Sequence, residues 1–504
     1  MQITFYGGAS EVGRNCIGVE DENRSVLLDA GVNVGGAEGD IDPVGLDPRK
    51  YNEVAISHAH LDHIGFLPIM YGPKYKSHAP IYMTKPTHDI TSLLLADYQK
   101  LSNRFSTEDI KRVMHYCHNV GYNEIFGDKV KVSFHNSGHI IGSGLVLVHG
   151  KKRVLYTGDM NTRTTRTLEP CHHGLKADVL IMESTYGSNE DKHEPIKVVT
   201  KGMIDQLNKT LANGGSVLIP SFAVGRSQEV IFMLEHHMSG GTLAEVPIYV
   251  DGMILKANRI FRQNIEFAKE EVHTRLLKSG QNPFESKHVR MPRARDRSDV
   301  LKQQAIIVST SGMLTGGPAH TYLRALAPNP ANLLAFVGYQ VEGTPGRAIL
   351  DGAREINLDD YIEAREKARR GQKGIIPVPH DEEPVAREEE SELLSDYRDF
   401  EASRNKVHAS ANAPHSGHHG RDSRHSRTPA QERPSGTIHI RMQVQKFDLS
   451  AHSDQAGLIQ FARTTKGLKR IFLVHGEGKK LTELADALHK YDVTIPKLGE
   501  TFRV

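Results

Sequence analysis

The sequence predicts an α/β protein in which a sandwich of mixed β-sheets, covered by helices, is joined to a second α/β domain with a parallel sheet. Two patterns support this prediction. Through the first part of the chain, brief apolar runs rich in Val, Ile and Leu are bounded by Gly, Asp, Asn or Ser, which is typical of strands and turns. Further along, apolar runs such as SVLIP alternate with helical stretches such as GRSQEVIFMLEHHM, which indicates βαβ units.

The elements follow in order. The strand-like runs of the first part are ITFYGG, SVLLDAG, EVAIS, PIYMT, KVSFHNSG, GLVLV, RVLYTGD and DVLIMES. Between PIYMT and KVSFHNSG, the apolar spacing predicts helix over roughly 87–126. The predicted organisation is the first part of the sandwich domain at 1–195, the second α/β domain at 196–359, an insertion at 360–436, and a return to the sandwich domain at 437–504. The insertion is acidic and then rich in Ser, Arg, His and Pro, so it is predicted to be disordered.

Composition limits the function classes. The chain has 504 residues and a net charge of +2, so its bulk charge does not point to a nucleic-acid or membrane partner. Three widely spaced cysteines, Cys16, Cys117 and Cys171, exclude a disulfide framework and a CxxC metal site and favour a reducing compartment. The N-terminus lacks the basic and apolar regions of a signal peptide, and no apolar run is long enough to span a membrane. These features predict a cytoplasmic protein.

Histidine is the outlier of the composition, with 28 residues, and its clearest cluster is SHAHLDHIG. The motif follows the strand-like run EVAIS, so a rigid sheet can position its side chains. His58 and His60 are two residues apart and can point to one metal ion, whereas Asp62 and His63 are displaced along the turn and can reach a second. Imidazole and carboxylate groups are suitable ligands for zinc and similar divalent ions. The motif therefore predicts a metal site.

One loop does not supply enough ligands for such a site. His139 in NSGHIIGSG, Asp159 in LYTGDMN and His475 in FLVHGEG each lie at the tip of an apolar strand with Gly close by. A sheet edge can assemble a metal cluster from such distant parts of a chain. Asp29, in SVLLDAG, shares this context, and we expect it to hold a ligating histidine in place.

The combination HxHxDH, a separate His and a separate Asp resembles the metallo-β-lactamase superfamily, whose fold is an αββα sandwich with a dinuclear centre. The resemblance implies that one zinc ion, or another divalent ion, is held by His58, His60 and His139. It implies that a second is held by Asp62, His63 and His475, and that Asp159 bridges the two ions.

Three later motifs resemble those of the β-CASP nucleases within that superfamily. They are an acidic residue after a strand, Glu183 in DVLIMESTYG; a histidine in a Ser-rich turn, His452 in KFDLSAHSD; and the final His475. The resemblance makes 196–359 the inserted β-CASP domain and extends over nearly the whole chain outside 360–436. RNA-directed members of the group carry His at the last motif and DNA-directed members usually carry Val, so His475 favours RNA.

Within the group, the chain is most similar to the archaeal proteins of the cleavage-and-polyadenylation-factor type that lack KH-like domains, and to ribonuclease J. This similarity implies a zinc-dependent ribonuclease of RNA processing or decay, in which two metal ions activate a hydroxide. In our hypothesis His452 then protonates the leaving oxygen, and Glu183 holds and polarises His452. Asp62 is placed with them as a catalytic residue, since its replacement should abolish hydrolysis.

Substrate contacts are less sharply indicated. STSGM contains small residues after a strand, which let backbone N–H groups approach a phosphate. We therefore expect Ser309, Ser311 and Gly312 to contact substrate, together with Arg226 of PSFAVGRSQE, a segment that resembles the same family. The expected partner is single-stranded RNA, and the end of the chain, IPKLGETFRV, resembles relatives that form homodimers.

Three alternatives stay open at this point. A metallo-hydrolase of small esters or thioesters would use the same metal ligands but has no need of an inserted domain, Glu183 or His452. A DNA-directed β-CASP nuclease differs by its substrate, and a non-catalytic scaffold subunit would have lost metal ligands. Endonucleolytic and 5′-to-3′ exonucleolytic cleavage are not separated by the sequence.

Overall fold

The computed structural model describes residues 1–34, 40–277, 282–341, 343–359 and 436–504. In these ranges no helix combines the length and apolar character needed to cross a membrane. The disorder predicted for the insertion falls almost entirely outside the described residues.

The strands, in chain order, are β1 (Gln2–Gly7), β2 (Cys16–Asp21), β3 (Arg24–Leu28), β4 (Glu53–Ala55), β5 (Ile81–Met83), β6 (Cys117–Asn119), β7 (Ile125–Phe126), β8 (Lys131–Asn136), β9 (Gly144–His149), β10 (Arg153–Tyr156), β11 (Val179–Glu183), β12 (Val217–Pro220), β13 (Ile248–Asp251), β14 (Val289–Arg290), β15 (Ile306–Ser309), β16 (Leu333–Phe336), β17 (Glu355–Ile356), β18 (Ile438–His439), β19 (Gln443–Lys446), β20 (Arg470–Val474), β21 (Asp492–Thr494) and β22 (Thr501–Arg503).

The helices are α1 (Leu61–Ile64), α2 (Leu67–Tyr71), α3 (Lys85–Ser102), α4 (Thr107–Tyr116), α5 (Ile196–Ala212), α6 (Arg226–Ser239), α7 (Ile254–Gln263), α8 (Glu270–Leu277), α9 (Arg297–Val300), α10 (Pro318–Leu326), α11 (Pro345–Leu350), α12 (Gln455–Thr464) and α13 (Lys479–Ala487).

Two mixed sheets form a sandwich. In the described part of the chain each has seven strands, in the orders β22-β1-β2-β3-β4-β5-β6 and β21-β20-β11-β10-β9-β8-β7. Alternate apolar residues of both sheets meet in one core, for example Phe5 and Val26 of the first sheet with Phe134, Tyr156 and Phe472 of the second. The last segment of the chain adds β22 to one sheet and β20 and β21 to the other, so residues far apart in sequence close the sandwich.

Helices cover the outer face of each sheet. Apolar residues of α2, α3 and α4, such as Met70, Leu95 and Val113, pack in one core cluster with residues of the first sheet. On the second sheet, Leu458 and Phe461 of α12 and residues of α13 pack against β11 and β20. The layers are therefore helix, sheet, sheet, helix, and the predicted αββα sandwich is confirmed.

The middle of the chain forms a parallel sheet of its own, in the order β14-β13-β15-β12-β16-β19, with helices packed on it. Its edge strand β19 comes from beyond the insertion, and Leu333 pairs with Gln443 and Phe336 with Lys446. Strand β19 lies in the segment 437–504 that the sequence assigns to the sandwich domain, but it pairs with the middle sheet. A short polar strand such as QVQK carries no sign of the sheet that it joins.

The ends of the insertion lie together. Strands β17 and β18 flank it and pair antiparallel, with Ile356 opposite Ile438. Arg324 connects both ends, since its guanidinium bonds a carboxylate oxygen of Asp359 at 2.8 Å and lies 3.4 Å from the carbonyl oxygen of Gly436. The chain thus leaves the middle domain and re-enters it at the same point.

The helical segment predicted over 87–126 is divided. Helix α3 ends at Ser102 and is capped by Asn103, which has a left-handed φ of 52°. Helix α4 begins at Thr107 after its N-cap Ser106, whose side chain and that of Asp109 form a reciprocal capping box. After Tyr116 the chain enters β6, so the apolar spacing alone overestimated the helix.

Candidate metal centre

Most of the predicted site residues lie at one edge of the sandwich, because the strands that they follow run in the same direction. β3 and β4 are parallel in one sheet, and β10, β11 and β20 are parallel in the other. β8 runs the same way as β10, because both are antiparallel to β9. Parallel strands present their carboxyl ends at a common edge. The side chains at these ends are Asp29 after β3, His58, His60, Asp62 and His63 after β4, His139 after β8, Asp159 after β10, Glu183 at the end of β11, and His475 after β20.

Glycines let the loops that carry the site residues approach one another closely. A Cβ on Gly31 would lie 1.7 Å from the carbonyl oxygen of Asp62, so only glycine fits where the loop after β3 contacts the start of α1. Gly158 has a φ of +50°, and a Cβ there would lie 2.6 Å from the side chain of Ser57. These contacts hold the loop that carries Asp159 against the histidine motif.

Three imidazole nitrogens converge in the first cluster. Nε2 of His58 lies 3.1 Å from Nδ1 of His60, which lies 3.2 Å from Nε2 of His139. Burial lowers the pKa of all three residues, so the neutral form, which has a free lone pair, is favoured. Converging lone pairs repel one another unless a cation lies among them.

The other ring nitrogens of His139 and His58 have partners. Nδ1 of His139 donates to the carbonyl oxygen of Ala451 at 3.0 Å, and Nδ1 of His58 lies 3.1 Å from Oγ of Ser57. Such contacts fix the tautomer and leave Nε2 with its lone pair free for a metal. Both rings are therefore oriented for coordination before any ion binds.

The second cluster contains Asp62, His63 and His475, whose ligand atoms lie within 4.8 Å of one another. Nε2 of His63 and Nε2 of His475 are each 3.8 Å from Oδ2 of Asp62. Although burial alone would lower the pKa of His63, the carboxylates of Asp159, Asp62 and Asp29 outweigh it and raise that pKa. His63 thus differs from the three histidines of the first cluster, whose neutral form is favoured.

Asp159 lies between the clusters and turns one carboxylate oxygen to each. Oδ2 lies 3.4 Å from Nε2 of His58 and 3.5 Å from Nε2 of His139. Oδ1 lies 3.4 Å from Nε2 of His63 and 3.8 Å from Nδ1 of His475. This is the arrangement of a bridging carboxylate.

The donor set fits divalent metal ions. Ligands held about 2.0–2.1 Å from a tetrahedral zinc ion lie about 3.4 Å from one another, and the contacts of the first cluster run from 3.1 to 3.5 Å. Oδ1 of Asp159 is buried and has no hydrogen-bond partner in the described residues. A buried carboxylate oxygen without a donor is costly unless a cation compensates it. The fold and the site together define a metallo-hydrolase.

Asp29 contacts a candidate ligand, His63, and not the cluster centre. Its Oδ2 lies 2.7 Å from Nδ1 of His63 and accepts hydrogen bonds from Oγ of Ser57 and from the hydroxyl of Tyr156. Its Oδ1 accepts the backbone N–H of Ser57 at 2.7 Å. The buried carboxylate therefore fixes the ring of His63 and the start of the histidine motif at once.

Replacing Asp29 by Asn is expected to weaken metal binding about 10- to 100-fold, because groups that orient a ligating histidine contribute that much to affinity. The measurement is metal content after competition with a graded series of chelators. Tyr156→Phe is the matched control, since it removes one hydrogen bond to Asp29 but keeps the carboxylate on His63. Equal affinities of the wild-type protein and Asp29→Asn would contradict the orienting role.

The pair predicted for proton transfer is formed. Nδ1 of His452 lies 3.0 and 3.1 Å from the two carboxylate oxygens of Glu183, and Nε2 faces Oδ2 of Asp159 at 3.9 Å. Glu183 is fully buried, and its Oε1 also accepts the backbone N–H of Met160 at 2.7 Å. Burial alone would lower the pKa of His452, but the carboxylates of Glu183 and Asp159 outweigh it and raise that pKa to about 9. The two carboxylates therefore favour the protonated form of the imidazole.

Two contacting residues were missed from the sequence. Nδ2 of Asn15 lies 3.1 Å from Nε2 of His63 and also contacts Nδ1 of His475, while its Oδ1 is buried without a partner. His193 contacts the carboxylate of Asp448, and its Nε2 lies 3.2 Å from the carbonyl oxygen of His452. The Gly-rich turn around Asn15 predicts a tight turn but not which side chain points inward, and no signal marked His193.

The four predicted substrate residues do not lie in one place. Arg226 begins α6 and is close enough to His452 to oppose its protonation electrostatically. Ser309, Ser311 and Gly312 instead make their contacts within the middle domain; for example, the carbonyl oxygen of Gly312 accepts from Gln340 at 2.9 Å. The structure thus brings only Arg226 of these four to the clusters.

Known families match three segments of the chain. A metallo-β-lactamase superfamily domain matches residues 19–183, a β-CASP domain matches 227–349, and a Zn-dependent metallo-hydrolase RNA specificity domain matches 437–496. A crystal structure of a protein of unknown function from Enterococcus faecalis covers 99% of both chains with a TM-score of 0.52 and 12% identity. At this identity the likeness shows the fold alone.

Relatives of higher identity are archaeal proteins named transcription termination factor FttA. The one from Thermococcus kodakarensis is 32% identical over 97% of this chain and 69% of its own length. The one from Methanothermobacter thermautotrophicus is 37% identical over 71% of this chain and 59% of its own length. The chain belongs to the β-CASP group of the metallo-β-lactamase superfamily, which confirms the resemblance of its motifs. It matches about 59% of the length of the first relatives.

Proposed function

We propose that this protein is a zinc-dependent ribonuclease that hydrolyses phosphodiester bonds of single-stranded RNA in RNA processing or decay. The observation that supports it most directly is the pair of His452 with the buried Glu183, in which Nε2 of His452 faces Asp159. The alternative of a small-ester hydrolase gives this pair no role. The names of the relatives and of the matched RNA specificity domain support RNA as the substrate.

The proposed site holds two zinc ions. His58, His60 and His139 bind one, Asp62, His63 and His475 bind the other, and Asp159 bridges them. When bound, the ions supply an activated water nucleophile and neutralise charge on the phosphoryl oxygens. Asp29 keeps His63 in the orientation that coordination requires.

His452 acts on the leaving oxygen in this proposal. The carboxylate of Glu183 accepts the Nδ1–H of His452, so Nε2–H is free to donate. General acid catalysis is most effective when the acid is protonated at the working pH and lies within reach of the leaving group. After donation, Glu183 favours the return of a proton to the imidazole.

Arg226 supplies positive charge for the substrate. Its side chain is 8% exposed, and burial lowers its pKa from the ordinary value of arginine. The carboxylates of Glu229 and Asp448 act on its guanidinium electrostatically but do not outweigh burial. We assign it to a phosphate of the bound RNA, since a buried cation is stabilised by an anionic ligand.

The test is hydrolysis by the zinc-loaded full chain of matched RNA and DNA strands and of a chromogenic ester, at one salt concentration. RNA strands with a 5′ hydroxyl, monophosphate or triphosphate are included, and the products are resolved by length over time. Rapid cleavage of RNA alone is the expected result. Internal fragments would identify an endonuclease, and single nucleotides released only from the monophosphate would identify a 5′-to-3′ exonuclease.

Preferred cleavage of DNA or of the ester would contradict the proposal, and absence of hydrolysis with both metals bound would favour a scaffold role. The homodimer stays a prediction, for which light scattering coupled to size-exclusion chromatography is the direct measurement.

A further inference from the structure

Two tyrosines and a lysine lie beside the His452–Glu183 pair and have no part in the chemistry proposed above. Tyr186 follows β11, Tyr339 follows β16, and Lys480 lies in the first turn of α13; all three are partly exposed. The tyrosine rings meet edge to face with centroids 6.1 Å apart, and Nζ of Lys480 lies 5.7 and 5.1 Å from the centroids of Tyr186 and Tyr339. We call these three residues the tyrosine platform.

The platform borders the reacting groups. The ring centroid of Tyr186 lies 6.2 Å from that of His452 and 5.0 Å from that of His193. A group bound on the platform is therefore next to the place where His452 contacts the leaving oxygen. In an RNA strand bound at the two clusters, the nucleotide beside the cleaved bond is long enough to reach the platform.

The loop that carries Tyr186 and the helix that carries Lys480 are held together. A Cβ on Gly187 would lie 2.4 Å from the carbonyl oxygen of Lys480, so the loop after β11 lies directly on the start of α13. The backbone N–H of Asn189 donates to Oε2 of Glu483 at 2.6 Å, which fastens the same loop one turn further along. Preformed sites bind with a smaller entropy cost.

The two lysines at this helix start differ in their partners. Lys479 forms an ion pair with Glu190 at 2.5 Å. Lys480 has no carboxylate within 4.0 Å in the part of the chain that the structure describes, and its ammonium contacts only the ring faces at the distances above. A cation over an aromatic ring at a partly exposed site is weakly held, so a phosphate can replace the rings as its partner.

We propose that the tyrosine platform binds the nucleotide next to the bond that is cut, with the base stacked on Tyr339 and a phosphate on Lys480. Aromatic rings that stack bases, set beside cations that bind the backbone, are the chemistry by which single-stranded nucleic acids are held without strict sequence preference. The inference rests on the proposed ribonuclease function and deepens it, since it gives the substrate a base contact on one side of the cleaved bond.

The test is kcat/KM for a short single-stranded RNA whose cleaved bond has been mapped, and for a series in which one nucleotide at a time is abasic. In the wild-type protein, loss of one base beside the cleaved bond is expected to lower kcat/KM about 5- to 150-fold, the effect of one stacked base. Tyr339→Ala should lower kcat/KM for the intact RNA by a similar factor. In this variant, removal of the base at that position should cause no further loss of kcat/KM. Tyr339→Phe keeps the ring and should retain the wild-type pattern.

Lys480→Gln is expected to raise KM and to weaken the salt dependence of binding, because one phosphate contact is lost. Lys479→Gln is the matched control on the neighbouring position and should leave both unchanged. Metal content and melting temperature, measured for every variant, separate a lost contact from misfolding.

An equal loss from the abasic nucleotide in wild-type protein and Tyr339→Ala would overturn the platform while leaving the ribonuclease intact. Equal effects of Lys479→Gln and Lys480→Gln on KM and on the salt dependence would contradict the proposed contact between Lys480 and a phosphate. Absence of RNA cleavage by the wild-type protein would instead overturn the proposed function, and the platform's role with it.

Discussion

Replacement of Asp159 by Asn is expected to remove bound metal and to lower RNA hydrolysis more than about 10³-fold, to the background rate. Both carboxylate oxygens are used, since Oδ2 faces His58 and His139, and Oδ1 faces His63 and His475. The amide is neutral and offers one oxygen, so one cluster loses a ligand and both lose a shared negative charge. Lewis-acid stabilisation worth several kcal/mol is lost with the ions.

The measurements for this variant are metal content by mass spectrometry and the initial rate on labelled RNA. Asp486→Asn is the matched control, because it makes the same change at an exposed position on α13. Full metal content together with a wild-type rate in Asp159→Asn would contradict a bridging carboxylate. A melting temperature well below that of the control, before metal is added, would instead indicate a structural role.

Replacement of His452 by Ala is expected to slow RNA cleavage about 10²- to 10⁴-fold, the usual contribution of a general acid, while metal content stays near that of the wild-type protein. Cleavage rate and metal content are expected to respond differently because of where the two ring nitrogens of His452 lie. Nδ1 of His452 is directed to Glu183, and Nε2 lies 3.9 Å from Asp159, further than any contact among the first three ligands. His452 therefore faces the reacting atoms but is not needed to hold an ion.

Steady-state kinetics on RNA and metal analysis of the same preparation check this result. His489→Ala is a suitable control, since His489 is exposed and bonds only the carbonyl oxygen of Asp486 in the described structure. Glu183→Gln should give a smaller loss, because the imidazole keeps a hydrogen-bond acceptor but loses the charge that favours its protonation. Loss of metal from His452→Ala would reassign this histidine as a ligand.

Much of the site could be predicted because its signals are local. In SHAHLDHIG the spacing of His58, His60, Asp62 and His63 is set within one turn, and the structure gathers these residues as predicted. Single residues such as Asp159 were recognisable from their position at the tip of an apolar strand. The family resemblance then assigned them to two groups, which the geometry reproduces. The two sandwich sheets were likewise readable from the alternation of apolar runs and turns.

The remaining features depend on contacts between distant segments. Asn15 reaches His63 and His475 only because β1, β4 and β20 end at the same edge, and nothing near Asn15 in the sequence records that meeting. Strand β19 joins the middle sheet through its pairing with β16, a backbone register that side-chain pattern does not encode. Ser309, Ser311 and Gly312 were expected at the substrate from a Gly-rich turn, but such turns also serve ordinary packing.

By itself, the sequence determined the mixed α/β class and the chemical type of the ligands, because strand periodicity and histidine spacing depend on neighbouring residues. The resemblance of its motifs to known proteins added the family. The tertiary structure decided which oxygen of Asp159 faces which cluster, that His452 lies on Glu183, and that Tyr186, Tyr339 and Lys480 meet beside them. The reason is that these residues come from separate strands and helices, and their distances are set by the packing of two sheets and a second domain.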